Sequence, residues 1–322
     1  MKPRARSPRT TQARRLDLEP VFTTDELPIE GQTLSGGSTL AHFANFVKLP
    51  HTVFALPFAL LGVVYASHVS PVTWSTIVLV VTAFTAARFA AMGFNRIVDR
   101  DQDAMNPRTE RRELPTGMLT VRQAGASVVV SSLVFLVAAG LLNRVCLVLA
   151  PVALGWILAY SYTKRFSSWS HLWLGVSLAI APIGGFLAVA GSWSQPWWSL
   201  PVLALGVMTW VAGFDMFYAL QDVDFDRRQG LKSAVVLLGT ERSILVAKVF
   251  HGVTILALLG FGAGAGLGPA YFVGIALAAG ILAWEHQLVG PDDLSRLDTA
   301  FFAMNGVMSI VVFVGTLGDR LL

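Results

Sequence analysis

Two short runs of this sequence space carboxylates in a way that can do chemistry. In FNRIVDRDQD, Asn95, Asp99 and Asp103 fall four residues apart; in FDMFYALQDVDFD, Asp215, Tyr218, Asp222 and Asp226 fall three, four and four apart. On a helix such spacings put each set on one face. Carboxylates so placed repel one another, so water, arginines or a bound cation must compensate. Magnesium is one answer, because it keeps several waters and binds through one or two carboxylates plus substrate phosphates. Two facing pairs, Asp99 with Asp103 and Asp222 with Asp226, would hold such ions around a diphosphate. Asp101 and Asp224 are two residues out of register and read as solvent contacts or as partners of Arg100 and Arg227.

A diphosphate also needs positive charge, and neighbouring segments carry it. NPRTERRELPTG supplies Arg108, Arg111 and Arg112; YSYTKRF supplies Tyr160, Tyr162, Lys164 and Arg165; Arg227, Arg228 and Lys232 follow the second acidic run. Arginine meets phosphate with a two-pronged fork. Each of these cations could equally serve membrane topology; their clustering beside acids favours a ligand role for the group. The histidines His42, His51, His68, His171, His251 and His286 are scattered and show no zinc spacing, and the lone Cys146 makes neither a disulfide framework nor a cysteine metal site.

The elements that must position these residues are apolar. The chain is 54% hydrophobic and 14% charged, against roughly 25% charged in soluble proteins, so the bilayer is the expected solvent. Nine stretches are long enough to span it: 52–68, 74–94, 122–142, 144–162, 171–191, 198–218, 243–262, 267–284 and 299–316. They are expected to be helices, because only helices and closed barrels satisfy their own backbone in lipid, and these runs are too long and uniform for barrel strands. The expected fold is therefore all-α, a polytopic bundle. Residues 1–38 are expected to be a disordered tail and 39–322 the membrane domain. The tail has no apolar core of signal-peptide type.

With the N-terminus in the cytoplasm, lysine and arginine gather on the inner connections, Arg144 and Arg320 excepted, while HVSPVT, GSWSQPWW and GAGAGLGP outside are short and almost uncharged. This is the positive-inside pattern, and it explains a pI near 9.5 without invoking nucleic acid. The two acidic runs are separated by an even number of crossings, so both lie on the cytoplasmic side. The glycine run 260–269 lacks the lysine and hydroxyl of a phosphate loop and reads as a tight turn between spans.

The motifs resemble those of the UbiA superfamily of intramembrane aromatic prenyltransferases. Asn95, Asp99 and Asp103 match its Asn-x-x-x-Asp-x-x-x-Asp motif, and Tyr218, Asp222 and Asp226 its second; RTERRELPTG and YSYTKR resemble its Arg-rich and Tyr-Lys-Arg segments. The resemblance covers roughly residues 40–316, and two positions depart from the common pattern: Arg96 stands where many members have Asp, and Glu113 where many have Pro. The closer likeness is to a 4-hydroxybenzoate polyprenyltransferase-like subgroup, some of whose members serve a dihydroxynaphthoate.

The resemblance implies helices around a central cavity and transfer of a polyprenyl group from a magnesium-bound diphosphate to a small aromatic acid destined to become a quinone. It implies that Asp99, Asp103, Asp222 and Asp226 bind Mg2+, that Asn95 supports the first site, and that Arg108, Arg112, Lys164, Arg165 and Lys232 contact diphosphate. Tyr160 and Tyr218 would stabilise an allylic cation or hold a carboxylate. Asp215 remains open between orienting the site, taking a proton and a structural role. A bacterial-type inner membrane is the expected location. Porphyrin, chlorin or lipid acceptors, and a transporter with intramembrane acids, are the alternatives.

Overall fold

The computed structural model describes residues 38–48, 52–290, 294, 296–297 and 303–322. The expected tail, Ser38 aside, and the start of the last expected span lie outside them. The described residues are helical and contain no strand. In chain order the helices are α1 (Thr39–Phe46), α2 (Thr52–Ala66), α3 (Trp74–Val98), α4 (Arg100–Met105), α5 (Val121–Leu142), α6 (Arg144–Ala159), α7 (Thr163–Phe166), α8 (Ser170–Ala190), α9 (Ser199–Ala219), α10 (Val223–Arg228), α11 (Ala234–Leu238), α12 (Thr240–Gly264), α13 (Pro269–Leu288) and α14 (Asn305–Leu321).

Each expected span coincides with a helix, but the count of nine crossings is not reproduced as such. Among the described residues six helices are long and apolar enough to span a membrane, beginning at Trp74, Val121, Arg144, Ser170, Ser199 and Thr240. The other three overlap α2, α13 and α14. α2 has 15 residues, about 22 Å of helix, and α13 carries Glu285 and His286 in its last turn.

Sequence explains the helix ends. Ser38, Thr73 and Thr120 cap α1, α3 and α5 with their side-chain oxygens, and Thr120 with Gln123 forms a capping box. Asn143 alone links α5 to α6: its Oδ1 accepts from the Cys146 amide at 3.0 Å while its Nδ2 donates to the Leu187 carbonyl at 2.8 Å. The glycine run is the tight turn expected, with α12 ending at Gly264, Gly266 at φ +68° and α13 opening on Pro269.

The main helices close a ring in the order α2, α3, α5, α6, α8, α9, α12, α13, α14 and back to α2, and α2 also packs across it on α8. Small residues permit that crossing. A Cβ at Gly62 would collide with the Pro182 carbonyl, and one at Gly185 with the Ala59 carbonyl. The largest core joins both sides of this contact, with Phe58, Tyr65, Phe186, Trp210 and Phe261 buried together. Outward, α5 and α6 expose Val129, Val130, Val137, Val148 and Val152, a surface suited to lipid.

Candidate active site

Asn95 and Asp99 at the end of α3, Tyr160 and Lys164 beyond α6, His171 at the start of α8, and Asp215 and Asp222 along and beyond α9 all line one cavity. The two acidic motifs therefore lie at the same end of the bundle, as their even spacing in crossings requires.

Neither motif lies on one continuous helix. α3 stops at Val98; Asp99 takes φ −96°, ψ 6°, and α4 starts at Arg100. α9 stops at Ala219, a 3-10 turn covers Leu220–Asp222, and Asp222 takes φ −104°, ψ 3° before α10. A third break follows α6, where a 3-10 turn covers Tyr160–Tyr162 ahead of α7. The dihedrals of the two aspartates lie in the sparsely allowed bridge region, frequent at active sites. The break keeps the four-residue spacing, because the Asp99 amide still reaches the Asn95 carbonyl at 2.9 Å and the Asp103 amide the Asp99 carbonyl at 2.8 Å.

Side chains interlock across the cavity. Asn95 Nδ2 donates to Asp99 Oδ2 at 2.9 Å, and Arg112 donates to Asp103 Oδ1 at 2.7 Å. Arg108 grips Asp222 with a fork, Nε to Oδ1 at 2.9 Å and Nη2 to Oδ2 at 2.6 Å, while Asn106 Nδ2 donates to the same Oδ1 at 2.9 Å. Lys164 Nζ donates to Asp226 Oδ2 at 3.2 Å. Arg165 lies 3.9 Å from Asp99 and donates to the Val98 carbonyl at 3.0 Å. Burial and the Asp103 carboxylate push Asp99 up to about 6, against the pull of Lys164, Arg165 and the Asn95 amide.

Tyr218 is enclosed by cations. Arg108 Nη1 donates to its hydroxyl at 2.7 Å and the guanidinium lies 4.9 Å from the ring centroid; Lys48 Nζ donates to the hydroxyl at 3.4 Å and lies 5.6 Å from the centroid. Lys48 follows α1 at φ +48° and is buried. Burial, and then the charges of Arg112, Arg96, Arg108 and Arg88, hold its ammonium well below the usual lysine range.

Of the expected site residues, Lys232 alone is not part of the cavity wall: its amide donates to the Lys164 carbonyl at 2.9 Å and its Nζ to the Phe166 carbonyl at 3.4 Å, which ties the α10–α11 loop to α7. Asp101 and Asp224 are off the wall as expected, with Arg100 at 3.4 Å and Arg227 at 3.6 Å. The cavity adds His171, Asn106, Thr109, Ser161 and Thr163, which spacing did not single out. His171 reaches Asp215 from 44 residues away, Nδ1 to Oδ2 at 2.7 Å, a pairing without a local signal. The two departures noted in the sequence meet as well: Arg96 Nη1 and Glu113 Oε2 are 3.5 Å apart, both buried.

Among the described residues no three His, Cys, Asp or Glu side chains stand close enough to cage a metal. The donor set is nonetheless all oxygen and carboxylate-rich, which fits magnesium held by few protein ligands, waters and a substrate phosphate.

Residues 55–307 match the model of the UbiA prenyltransferase family. The chain is similar to a 4-hydroxybenzoate octaprenyltransferase of Sodalis glossinidius, 31% identical over 71% of this chain and 78% of that one. It is also similar to an enzyme of the same name from Saccharophagus degradans, 26% identical over 88% of this chain and 94% of that one. The fold is similar to the apo structure of a UbiA homolog from Aeropyrum pernix, with TM-score 0.77, 32% identity and coverage of 84% of this chain and 98% of that chain. A UbiA homolog from Archaeoglobus fulgidus bound to GPP and Mg2+ shares the fold at TM-score 0.66 and 16% identity, over 87% of this chain and 100% of that one. With motifs, cavity and fold in agreement, the chain belongs to the UbiA prenyltransferase family.

Proposed function

We propose that this membrane prenyltransferase moves a polyprenyl group from polyprenyl diphosphate to a small aromatic acid, 4-hydroxybenzoate or a dihydroxynaphthoate, as a step toward a quinone. The observation that carries the reading is the convergence of two acidic motifs with Arg108, Arg112, Lys164 and Arg165 on one cavity. The names of the relatives support the aromatic acceptor, and the Mg2+ and GPP of the Archaeoglobus homolog support the ion and the donor.

Asp99, Asp103, Asp222 and Asp226 would hold magnesium, which when bound withdraws electrons from the diphosphate and eases its departure. Arg112 and Lys164 sit beside those acids, placed to take up charge that develops on the leaving oxygen. Arg108 keeps Asp222 and Tyr218 in place. Tyr160 can turn its ring toward an allylic cation. The surrounding apolar helices exclude water, which would otherwise capture the cation. The cavity faces the cytoplasm of a bacterial-type inner membrane, on the positive-inside argument.

Transport is the weaker reading. Beyond His171 and Asp215 the next ionisable groups are buried His251 and Glu285 and half-buried His286, and none of them lines the cavity. A Cβ at Gly213 would collide with His251, so the helix that presents Asp215 to the cavity also packs against that second group. Mass spectrometry of products from membranes given one polyprenyl diphosphate and each acceptor tests the proposal. Prenylated 4-hydroxybenzoate or dihydroxynaphthoate is expected, with turnover lost after EDTA washing and restored by magnesium. Product from heme or glycerol phosphate alone would overturn the acceptor class.

A further inference from the structure

The cavity wall contains a pair that the metal and diphosphate do not call for. Asp215 lies on α9 seven residues before Asp222, about 10 Å deeper along the helix axis. Its Oδ2 is 2.7 Å from Nδ1 of His171, and both residues line the cavity. The His171 side chain is 1% exposed and Asp215 is 16% exposed. Nε2 of His171 is buried with no hydrogen-bond partner among the described residues. A buried imidazole rarely leaves a ring nitrogen unmatched. Tyr160, Asp99 and Asp226 line the same cavity, so the pair and the acidic motifs face a shared space.

We propose that His171, oriented by Asp215, is the base that receives the acceptor's proton. The carboxylate accepts the Nδ1 proton, which fixes the tautomer and leaves Nε2 with its lone pair. In the transfer, a ring carbon beside the phenol oxygen bonds to C1 of the prenyl group as the C1–oxygen bond breaks, and that bonding pair leaves with the diphosphate. The ring carbon then gives its proton to Nε2, and the electrons of the C–H bond restore the aromatic ring. The imidazolium so formed sits against the Asp215 carboxylate, as in other carboxylate-supported histidine bases. No oxidant or reductant is needed.

This role rests on the aromatic-acceptor reading, and the test separates the two. Membranes carrying the full chain are assayed with 4-hydroxybenzoate, unlabelled or deuterated at the carbons beside the hydroxyl. His171→Ala is expected to slow prenylation by about 10²–10⁴-fold, with KM for the polyprenyl diphosphate unchanged. It should also show an isotope effect larger than the wild type's, because proton removal becomes limiting, and added imidazole should recover part of the rate. Asp215→Asn preserves volume and should raise the isotope effect too; it decides the matter if His171→Ala does not fold. A near-wild-type rate, or a loss with the isotope effect unchanged and no imidazole rescue, would overturn the dyad alone. A wild type inert toward the aromatic acids while it prenylates another acceptor would overturn the functional reading and the dyad's role with it.

Discussion

At Asp99 and at Asp222 the chain makes nearly the same move, with φ, ψ of −96°, 6° and −104°, 3°. A long helix ends, one aspartate occupies the break, and a six-residue helix carries the second aspartate. The surroundings differ. Asp222 is buried under a two-pronged arginine and an asparagine amide, and Asp226 is paired with Lys164. Asp99 has a side chain 33% exposed, one amide from Asn95, and its nearest guanidinium at 3.9 Å. Repetition of backbone thus does not mean repetition of chemistry. Both carboxylates of the second motif have a close cationic partner, whereas in the first only Asp103 does, and Asp99 is left where a cation can reach it without displacing a strong partner.

Substitution should expose this difference most sharply in stability. Asp222→Ala strands a buried guanidinium, a situation that costs about 3–5 kcal/mol, so its melting point in detergent should fall well below that of Asp99→Ala. Both should lose at least about a hundredfold in turnover. Equal melting points would mean that the Arg108 fork does not hold the second motif together. Arg108→Lys comes next. It retains charge but cannot fork, and hydrogen bonds to charged groups contribute about 1.5–3 kcal/mol. A melting point between those of wild type and Asp222→Ala is expected, with activity reduced; full activity would show that charge alone suffices there.

Lys164→Met probes the weaker pairing. The lysine is one-third exposed, 34%, at 3.2 Å from Asp226, so stability should change little while KM for the diphosphate rises; a change in melting without a change in KM would assign Lys164 to structure. The smallest effects belong to Asp101→Ala and Asp224→Ala, whose partners Arg100 and Arg227 are themselves substantially exposed. Turnover near wild type in both is expected, and a large loss in either would break the division between in-register and out-of-register acids.

The helices and both motifs were legible in the sequence because lipid enforces long apolar runs and because four-residue spacing survives folding. Asp99, Asp103, Asp222 and Asp226 reach the same cavity on those grounds alone. The helix breaks were not legible, because a bridge-region aspartate, at the second motif with a 3-10 turn before it, preserves the four-residue spacing of a helix. Nor was His171, since its partner is on another helix and a lone histidine at a span's edge has an ordinary interfacial explanation. Lys232, expected beside the acids, is the one such residue off the cavity wall. Proximity in sequence to Asp226 put it near the acids, but its backbone bond to Lys164 turns the chain along the rim.

The contact between Arg96 and Glu113 bears on how sequences of this kind are compared and engineered. Scored one column at a time, the two residues are separate mismatches to the prevailing family pattern, and consensus design would revert each without reference to the other. In space they are opposite charges 3.5 Å apart, closed off from solvent on both sides. Glu113→Pro alone would bring the chain nearer its relatives on paper and leave a buried cation without its counterion. The two positions form a single contact, so changing either alone should be less favourable than changing both together.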